Sequence, residues 1–405
     1  MIPSPPITGV YARIVRISIK LYVLALAFLR CRSMSGSFRV LHSLKKMRLQ
    51  AAADNPISKL HRAGRRYYWS LIAPGWPSLA CRRFLDSELN RVLQTHERSH
   101  RLRVVVFGIT TVCPLNCEHC YAGNLLNNAD TLSFQQLREI LGALQDRGVS
   151  IVQWSGGEPL CRFDDMIQLT RQAREGTDFW VLTSGAGLTD SKAKALKKAG
   201  MTGVNVSLDH WNPEKHNSFR GTPQAYTWAT QAIEIARENG LVVAITLCAT
   251  RDFVNEDNMR LYFQLAQDMG VRFVQILEAR AIGHFAGRDV TLTRNQYDLL
   301  DDTFASMNSQ KRWRNMPIVT YHGYHQRRIG CFGSGDRFMY IDPYGDVYPC
   351  PFSEMRIGNA IIDKDAINTL SSNCDRTCDR YVLSSHLNES RRMDRSGSSA
   401  ASYLK

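Results

Sequence analysis

Three cysteines stand close together in the run Cys113-Pro-Leu-Asn-Cys117-Glu-His-Cys120-Tyr121. Gaps of three and two residues let one loop wrap three irons of an iron-sulfur cubane, which leaves the fourth iron without a protein ligand and open for catalysis. Zinc is the alternative, but a closed zinc site wants a fourth Cys or His, and His119 lies between two ligands, where it would point away from a shared metal. A second group follows downstream: Cys331, then Gly345-Asp-Val-Tyr-Pro-Cys350, then Cys374-Asp-Arg-Thr-Cys378. Four thiolates complete a cubane with no open iron, giving a structural or electron-carrying cluster, with zinc on the same four as the alternative. Of the eleven cysteines, Cys31, Cys81, Cys161 and Cys248 are scattered and read as ordinary buried thiols. Two tight groups in a long chain indicate metal rather than a disulfide scaffold.

The elements that must position these cysteines begin at about Arg103, where short β-rich runs alternate with stretches of helical periodicity. Expected strands are 104–110, 151–154, 179–183, 204–208, 241–247 and 273–277. Expected helices are 133–147, 166–174, 191–198, 224–238, 258–268 and 295–307. This predicts an α/β fold, a partial (β/α)6 barrel with six of the eight units that close one. The cysteine loop follows the first strand, on the carboxyl face where parallel β/α folds carry their active sites. After about Pro317 the pattern is expected to stop, and Gly-rich short strands with cysteines take over at 338–342 and 347–351. The expected division is a basic, partly helical extension over 1–102, the barrel over 103–312, a small Cys-rich auxiliary iron-sulfur module over 317–385, and a disordered tail over 386–405.

The cysteine loop resembles the C-x-x-x-C-x-aromatic-C motif of the radical S-adenosylmethionine (SAM) superfamily, with His119 in the aromatic place. The resemblance implies that Cys113, Cys117 and Cys120 hold a [4Fe-4S] cluster whose open iron binds the methionine moiety of SAM. Reductive cleavage then yields a 5'-deoxyadenosyl radical that abstracts hydrogen from substrate. Ser155-Gly156-Gly157-Glu158-Pro159 resembles the family's GGEP loop, which implies that Gly156, Gly157, Glu158 and Pro159 hold the methionine amino group. Independently, paired glycines let backbone approach a ligand closely, and a carboxylate suits an ammonium. Thr183-Ser184-Gly185 is similar to the family's T-N-G, with Ser184 in place of Asn on the ribose side. Ser207 and Arg220 match positions that meet the SAM carboxylate in relatives; an arginine fork suits a carboxylate, and a solvated surface arginine is the alternative. Cys331, Cys350, Cys374 and Cys378 resemble the C-terminal SPASM module, which in full carries seven or more cysteines and two clusters. Four imply a reduced, twitch-type version with one auxiliary [4Fe-4S] cluster.

A formal charge of +14 suggests nucleic acid until its distribution is counted. Residues 1–103 hold 19 Lys/Arg against 4 Asp/Glu, leaving 32 against 33 for the rest, so no specific nucleic-acid partner is predicted. Leu21 to Leu29 is an apolar run preceded by Arg13, Arg16 and Lys20. Arg30 and Arg32 follow it without a small-residue cleavage site, and it is shorter than the roughly 20 residues of a spanning helix. It reads as a basic helix with one apolar face on an anionic membrane surface, or as a stretch preceding a true start at Met34 or Met47.

SPASM-type relatives commonly modify peptides or proteins, so a peptide substrate is expected, with a small molecule or cofactor precursor as the alternative. Pro351 stands where sulfatase-maturing relatives place an aspartate base. Residues 1–102 lack the run of strands of a leader-binding domain. A non-catalytic reading, an iron-sulfur scaffold or an inert barrel brought to membrane or RNA, gives no reason for the cysteine triad to accompany Gly156, Gly157 and Glu158. Tyr340, Asp342, Tyr344, Asp346 and Tyr348 alternate and read as the outward face of a hairpin, with lining of a substrate cavity or radical relay as the alternative. Oxygen-sensitive clusters imply a reducing cytoplasm, with an electron donor such as a flavodoxin or ferredoxin and the iron-sulfur assembly machinery as partners.

Overall fold

A computed structural model describes residues 5–52, 58–93, 102–331, 337–363 and 365–367. Cys374, Cys378 and the tail expected over 386–405 lie outside the described residues.

The N-terminal region forms α1 (Gly9–Cys31), α2 (Met34–Ala52), a hairpin of β1 (His61–Ala63) and β2 (Arg66–Tyr68), and α3 (Leu79–Leu93). Then come six parallel strands paired in chain order: β3 (Val104–Gly108), β4 (Ile151–Ser155), β5 (Asp178–Thr183), β6 (Gly203–Ser207), β7 (Val242–Ala249) and β8 (Phe273–Glu278). The helices expected between and after them are α4 (Phe134–Asp146), α5 (Phe163–Gln172), α6 (Asp190–Lys198), α8 (Ala225–Glu238), α9 (Glu256–Asp268) and α10 (Arg294–Ser309), all within three residues of expectation. Local chemistry sets their starts. Ser133 with Gln136 and Thr293 with Gln296 form capping boxes, while Thr189 and Asn255 cap α6 and α9, each cap supplying an acceptor for an otherwise unpaired N–H. An unexpected helix, α7 (Pro213–Arg220), starts on an Asn212 cap with Pro213 in its first turn and ends at Gly221, φ +70°, as the stop rules for helices require.

The β/α pattern does not stop at Pro317. A seventh strand, β9 (Ile318–Tyr321), pairs parallel with β8, and α11 (His322–Ile329) follows it. On the other side β10 (Phe338–Ile341) pairs parallel with β3, so the C-terminal strands continue the same sheet through β11 (Asp346–Tyr348) and β12 (Gly358–Asn359), both antiparallel.

Strand alternation separates two faces. The outward set, including Val105, Phe107, Val152, Trp154, Val181, Val204 and Ile245, packs under the helices. The inward set is layered. Nearest the amino end, Val104, Ile151, Trp180, Ala244, Phe273 and Ile318 enclose Tyr68 and Leu71, so the region after β1 plugs that end of the barrel. Lys59, fully buried, secures the plug by donating to the carbonyls of Met316 (2.7 Å) and Pro317 (3.1 Å). Glu88 of α3 adds a charged clamp, pairing with Arg91 (3.0 Å), Arg103 (3.2 Å) and Arg337 (3.3 Å). α1 is an integral part of this region: it packs on α2, α3 and residues 60–76. Among the described residues no helix is long and apolar enough to cross a membrane.

Candidate active site

The triad loop leaves β3 and is tied down at once. Thr110 Oγ1 donates to Asp130 Oδ2 and the Thr111 N–H to Asp130 Oδ1, each at 2.7 Å, and the Cys113 N–H donates to Asn127 Oδ1 at 2.9 Å. Arg162 reaches the carbonyls of Ile109 (2.9 Å) and Leu132 (2.8 Å). From the opposite side of the barrel the His284 N–H donates to the Cys120 carbonyl at 3.0 Å, and His284 Nδ1 lies 2.8 Å from the Cys117 carbonyl. The loop is therefore held at both ends before any ligand binds.

Cys113, Cys117 and Cys120 line one wall of a cavity of about 360 Å³ that opens at the carboxyl end of the strands. Burial pushes the Cys113 thiol up to about 12 and the Cys120 thiol to about 11. Cys117 is also raised by burial, but Arg220 opposes the shift, its Nη1 lying 3.6 Å from the sulfur. A mononuclear ion needs three or more side chains converging in one short shell. Among the described residues no such group of His, Cys, Asp or Glu is assembled. His119, which also borders the cavity, stacks on Phe219 at 4.5 Å between ring centroids, and burial holds it neutral, its pKa lowered to about 4.

Gly156 and Gly157 serve the triad loop directly. Gly156 has φ +134°, and a Cβ there would lie 2.3 Å from the Thr110 carbonyl oxygen; one on Gly157 would lie 2.4 Å from that of Val112. The close backbone approach that paired glycines allow is made to residues 110–112. The Gly157 and Glu158 N–H groups donate to the Thr110 and Val112 carbonyls at 2.7 and 2.8 Å. Pro159 begins a short 3-10 turn leading into α5.

Glu158 is 1% exposed. Its Oε1 accepts from Thr183 Oγ1 (2.7 Å) and the Leu160 N–H (3.1 Å), and its Oε2 from the Ser184 N–H (2.8 Å) and Ser184 Oγ (2.6 Å). Burial raises its pKa while these donors pull it back. A carboxylate offers about four lone-pair sites, and all four are used. Three donors are backbone groups or a strand-buried hydroxyl; the Ser184 hydroxyl alone can rotate aside.

Arg220 is no solvated surface residue. It is 8% exposed and pairs with Asp209 Oδ2 at 2.5 Å, and Asp209 Oδ1 accepts the Cys248 N–H at 2.8 Å. Burial opposes charge on Asp209, but Arg220 holds its pKa below the usual carboxylate range. Ser207 lines the cavity beside this pair, as does Ser184. Below them Asn205 Nδ2 donates to Gln275 Oε1 at 2.7 Å and Thr246 Oγ1 to Asn205 Oδ1 at 2.8 Å, a polar layer above the apolar plug. At the rim, Glu278 pairs with Arg280 (2.5 Å) and Arg327 (2.6 Å).

Cys331 and Cys350 line the same cavity, both half-buried. Tyr340 and Asp342 do not form an outward face: they are 5% and 2% exposed. Pairing of β10 with β3 turns Tyr340 inward, where its ring meets Tyr121 edge-on at 5.7 Å and Tyr348 at 5.9 Å. Asp342 Oδ1 accepts the N–H groups of Tyr344 and Asp346, each at 2.9 Å, and so caps the β10–β11 turn. Tyr344, Asp346 and Tyr348 are half-buried. Of the scattered cysteines, Cys81 and Cys248 are buried as expected, Cys31 is half-buried, and Cys161 is exposed, because the 3-10 turn after Pro159 carries it on its outer side.

Asp209, Arg162, Asp130, Phe219 and His284 escaped the sequence reading as contributors to the site. Asp209 had a signal, an acidic residue ending a strand opposite an arginine at the next helix end; His284 had none, since only the fold brings it to the triad.

A sequence model of the Radical SAM superfamily matches residues 107–265. The AdoMet-dependent heme synthase of Methanosarcina barkeri is 25% identical over 279 residues, covering 64% of this chain and 79% of that protein. The PqqA peptide cyclase of Streptomyces rochei is 28% identical over 253 residues, covering 61% and 68%. Among solved structures, Streptococcus suis SuiB bound to its precursor peptide SuiA superposes with a TM-score of 0.54 at 13% identity, over 72% of this chain and 70% of that one. The matched domain spans the triad, the Gly-Gly-Glu loop and five of the six expected strands, less residues 104–106 at the start of the first, so the chain carries a radical SAM enzyme domain.

Proposed function

We propose that this chain reductively cleaves SAM at a [4Fe-4S] cluster held by Cys113, Cys117 and Cys120, and that the radical formed acts on a peptide. The observation that carries the first half is the placing, on one cavity wall, of three thiols, the Gly156–Glu158 loop bonded to the backbone of residues 110–112 just before them, and the Arg220–Asp209 pair touching one sulfur. The residues fit the group. Buried thiols with raised pKa values are poor thiolates alone, and coordination to iron is what would deprotonate them. When bound, the cluster supplies the electron that breaks the sulfonium bond and releases a 5'-deoxyadenosyl radical. The chain's own residues bind and orient. Glu158 would receive the methionine ammonium by exchanging the Ser184 hydroxyl for it, Gly156, Gly157 and Pro159 fix the loop, Ser184 borders the SAM groove, and Ser207 offers a hydroxyl along it. Arg220, committed to Asp209 and Cys117, would present its remaining N–H to the SAM carboxylate and steady the Cys117 thiolate. The plug keeps the amino end dry, so substrate enters from the carboxyl end.

In this reading Cys331 and Cys350, which border the cavity, carry a second [4Fe-4S] cluster together with Cys374 and Cys378. An electron donor such as a flavodoxin or ferredoxin and a reducing cytoplasm complete the requirements. The peptide assignment rests on relatives: PqqA peptide cyclase in sequence and peptide-bound SuiB in fold. The heme-synthase relatives support a second reading, the same chemistry on a small molecule or cofactor precursor.

The test is anaerobic reconstitution with assay of iron, sulfide and 5'-deoxyadenosine after dithionite reduction. Wild type is expected to hold about eight irons and to form deoxyadenosine. Replacing the three cysteines of the triad with Ala should remove about half the iron and at least a hundred-fold of the deoxyadenosine. No deoxyadenosine from a fully loaded chain would end the proposal. Co-expression with a short peptide encoded beside the gene, read as a mass shift of that peptide, separates the two substrate readings.

A further inference from the structure

α1 is apolar on two opposite faces. Ala12, Val15, Val23, Leu26 and Ala27 are buried against α2, α3 and the plug region. On the far side Val10, Ile14, Ile17, Leu21 and Phe28 are 43–72% exposed. Their spacing of four, three, four and seven keeps them on one stripe, and half-buried Leu24 fills its gap. A helix docked on its own protein needs one apolar face, so folding does not account for the second. Exposed apolar rows of this size mark interaction surfaces.

The charge beside the stripe identifies the partner. Arg13 and Lys20 flank it, both exposed, and residues 9–52 contain nine Lys/Arg and no Asp/Glu. We propose that α1 docks this protein on an anionic lipid bilayer, lying in the interface with Val10, Ile14, Ile17, Leu21 and Phe28 sunk among the acyl chains and its basic flank at the headgroups. The stripe is about 27 Å long and lies flat. A second copy of the chain is a poor occupant, because two such helices would bring like charges together. A nucleic acid would use the charge and leave the apolar row exposed. Since α1 rests on the plug region, a bilayer held there leaves the cavity at the carboxyl end of the strands accessible.

The experiment is co-sedimentation of the full-length protein with sucrose-loaded vesicles of phosphatidylglycerol and phosphatidylcholine, or of phosphatidylcholine alone. At least ten-fold more protein should sediment with the anionic vesicles, and high salt should reduce the difference. Ile17→Glu with Leu21→Glu should abolish binding. Arg13→Gln and Lys20→Gln should each weaken it by roughly five-fold. Both residues are at the surface, so the melting temperature and deoxyadenosine formation should not change, which separates lost docking from lost folding. Equal sedimentation of wild type and the double variant, or no sedimentation at all, would overturn the proposal. So would a wild-type dimer that the double variant converts to monomer, since the stripe would then be a contact between copies.

Discussion

The two ends of the barrel are built from the same strands and do opposite things. At the amino end the inward residues are large and apolar, closed over Tyr68 and Leu71 and locked by Lys59 and by Glu88 with its three arginines. At the carboxyl end the inward residues are Ser155, Ser184, Ser207 and Cys248, facing a cavity bordered by thiols. A single strand therefore passes from sealed core to reactive surface within about three inward positions. Stability is concentrated at one end so that the other can afford buried thiols, a saturated carboxylate and an open cavity.

Five changes break or sharpen that contrast, beyond loss of the triad itself. The largest should come from the clamp. Burial alone would raise the Glu88 pKa, but Arg103, Arg337 and Arg91 hold it at about 2 against an ordinary 4.5. Its stabilisation is complete above about pH 4.5 and is lost as pH falls through about 2. Glu88→Ala removes the carboxylate that three largely buried arginines share and should cost about 3–5 kcal/mol, seen as a lower melting temperature and a flatter acid-denaturation profile between those pH values. At the other end, Glu158→Gln should weaken SAM binding roughly ten-fold, and because its NH2 cannot accept from the donors that saturate Glu158 it should also cost about 1–3 kcal/mol of stability. Ser184→Ala frees an acceptor site on Glu158 and should leave SAM affinity within about three-fold; a ten-fold loss on titration with SAM would instead make the Ser184 hydroxyl a ligand of SAM.

Lys59→Met tests the plug. Burial lowers the Lys59 pKa to about 7 from 10.5, so between those values the unfolded chain binds more protons and the protein gains stability as pH rises. The variant should lose that gain, and thermal melts at pH 7 and pH 9 should differ less than for wild type. The smallest effect is expected at Asp342, where burial raises the pKa to about 6. Stability there falls as pH rises from about 4 to 6. Asp342→Asn keeps the accepting Oδ1 of the turn, so at pH 7.5 it should melt about 2 °C higher or no lower.

The six β/α units were legible because a period of two in the strands and of 3.6 in the helices, with Ser, Thr and Asn caps, are local properties. β9 was missed because four residues after Met316-Pro317 are too few to show a period, and its assignment depends on β8 lying beside it. The direction of Tyr340 was misread for a related reason. Alternation puts Tyr340, Asp342 and Tyr348 on one face but cannot say which face is inside; the parallel register Tyr340↔Val106 decides it. The glycine pair was correctly singled out as permitting close approach, yet what it approaches is the backbone of residues 110–112, a partner about 45 residues away in sequence.

By itself the sequence determined the cysteine spacing, the order of strands and helices, the Gly156-Gly157-Glu158 loop and the basic character of residues 1–103. These are set by residue type and short-range periodicity. Only the tertiary structure decided that residues 58–77 plug the barrel, that β10 joins β3, that Glu158 is saturated by Thr183, Leu160 and Ser184, that Arg220 is bound to Asp209, and that α1 has one face to spare. Each depends on groups far apart in the chain meeting in a buried place, where every donor must find an acceptor and every charge a partner. That pairing is a property of the packed molecule, and no local run of residues contains it.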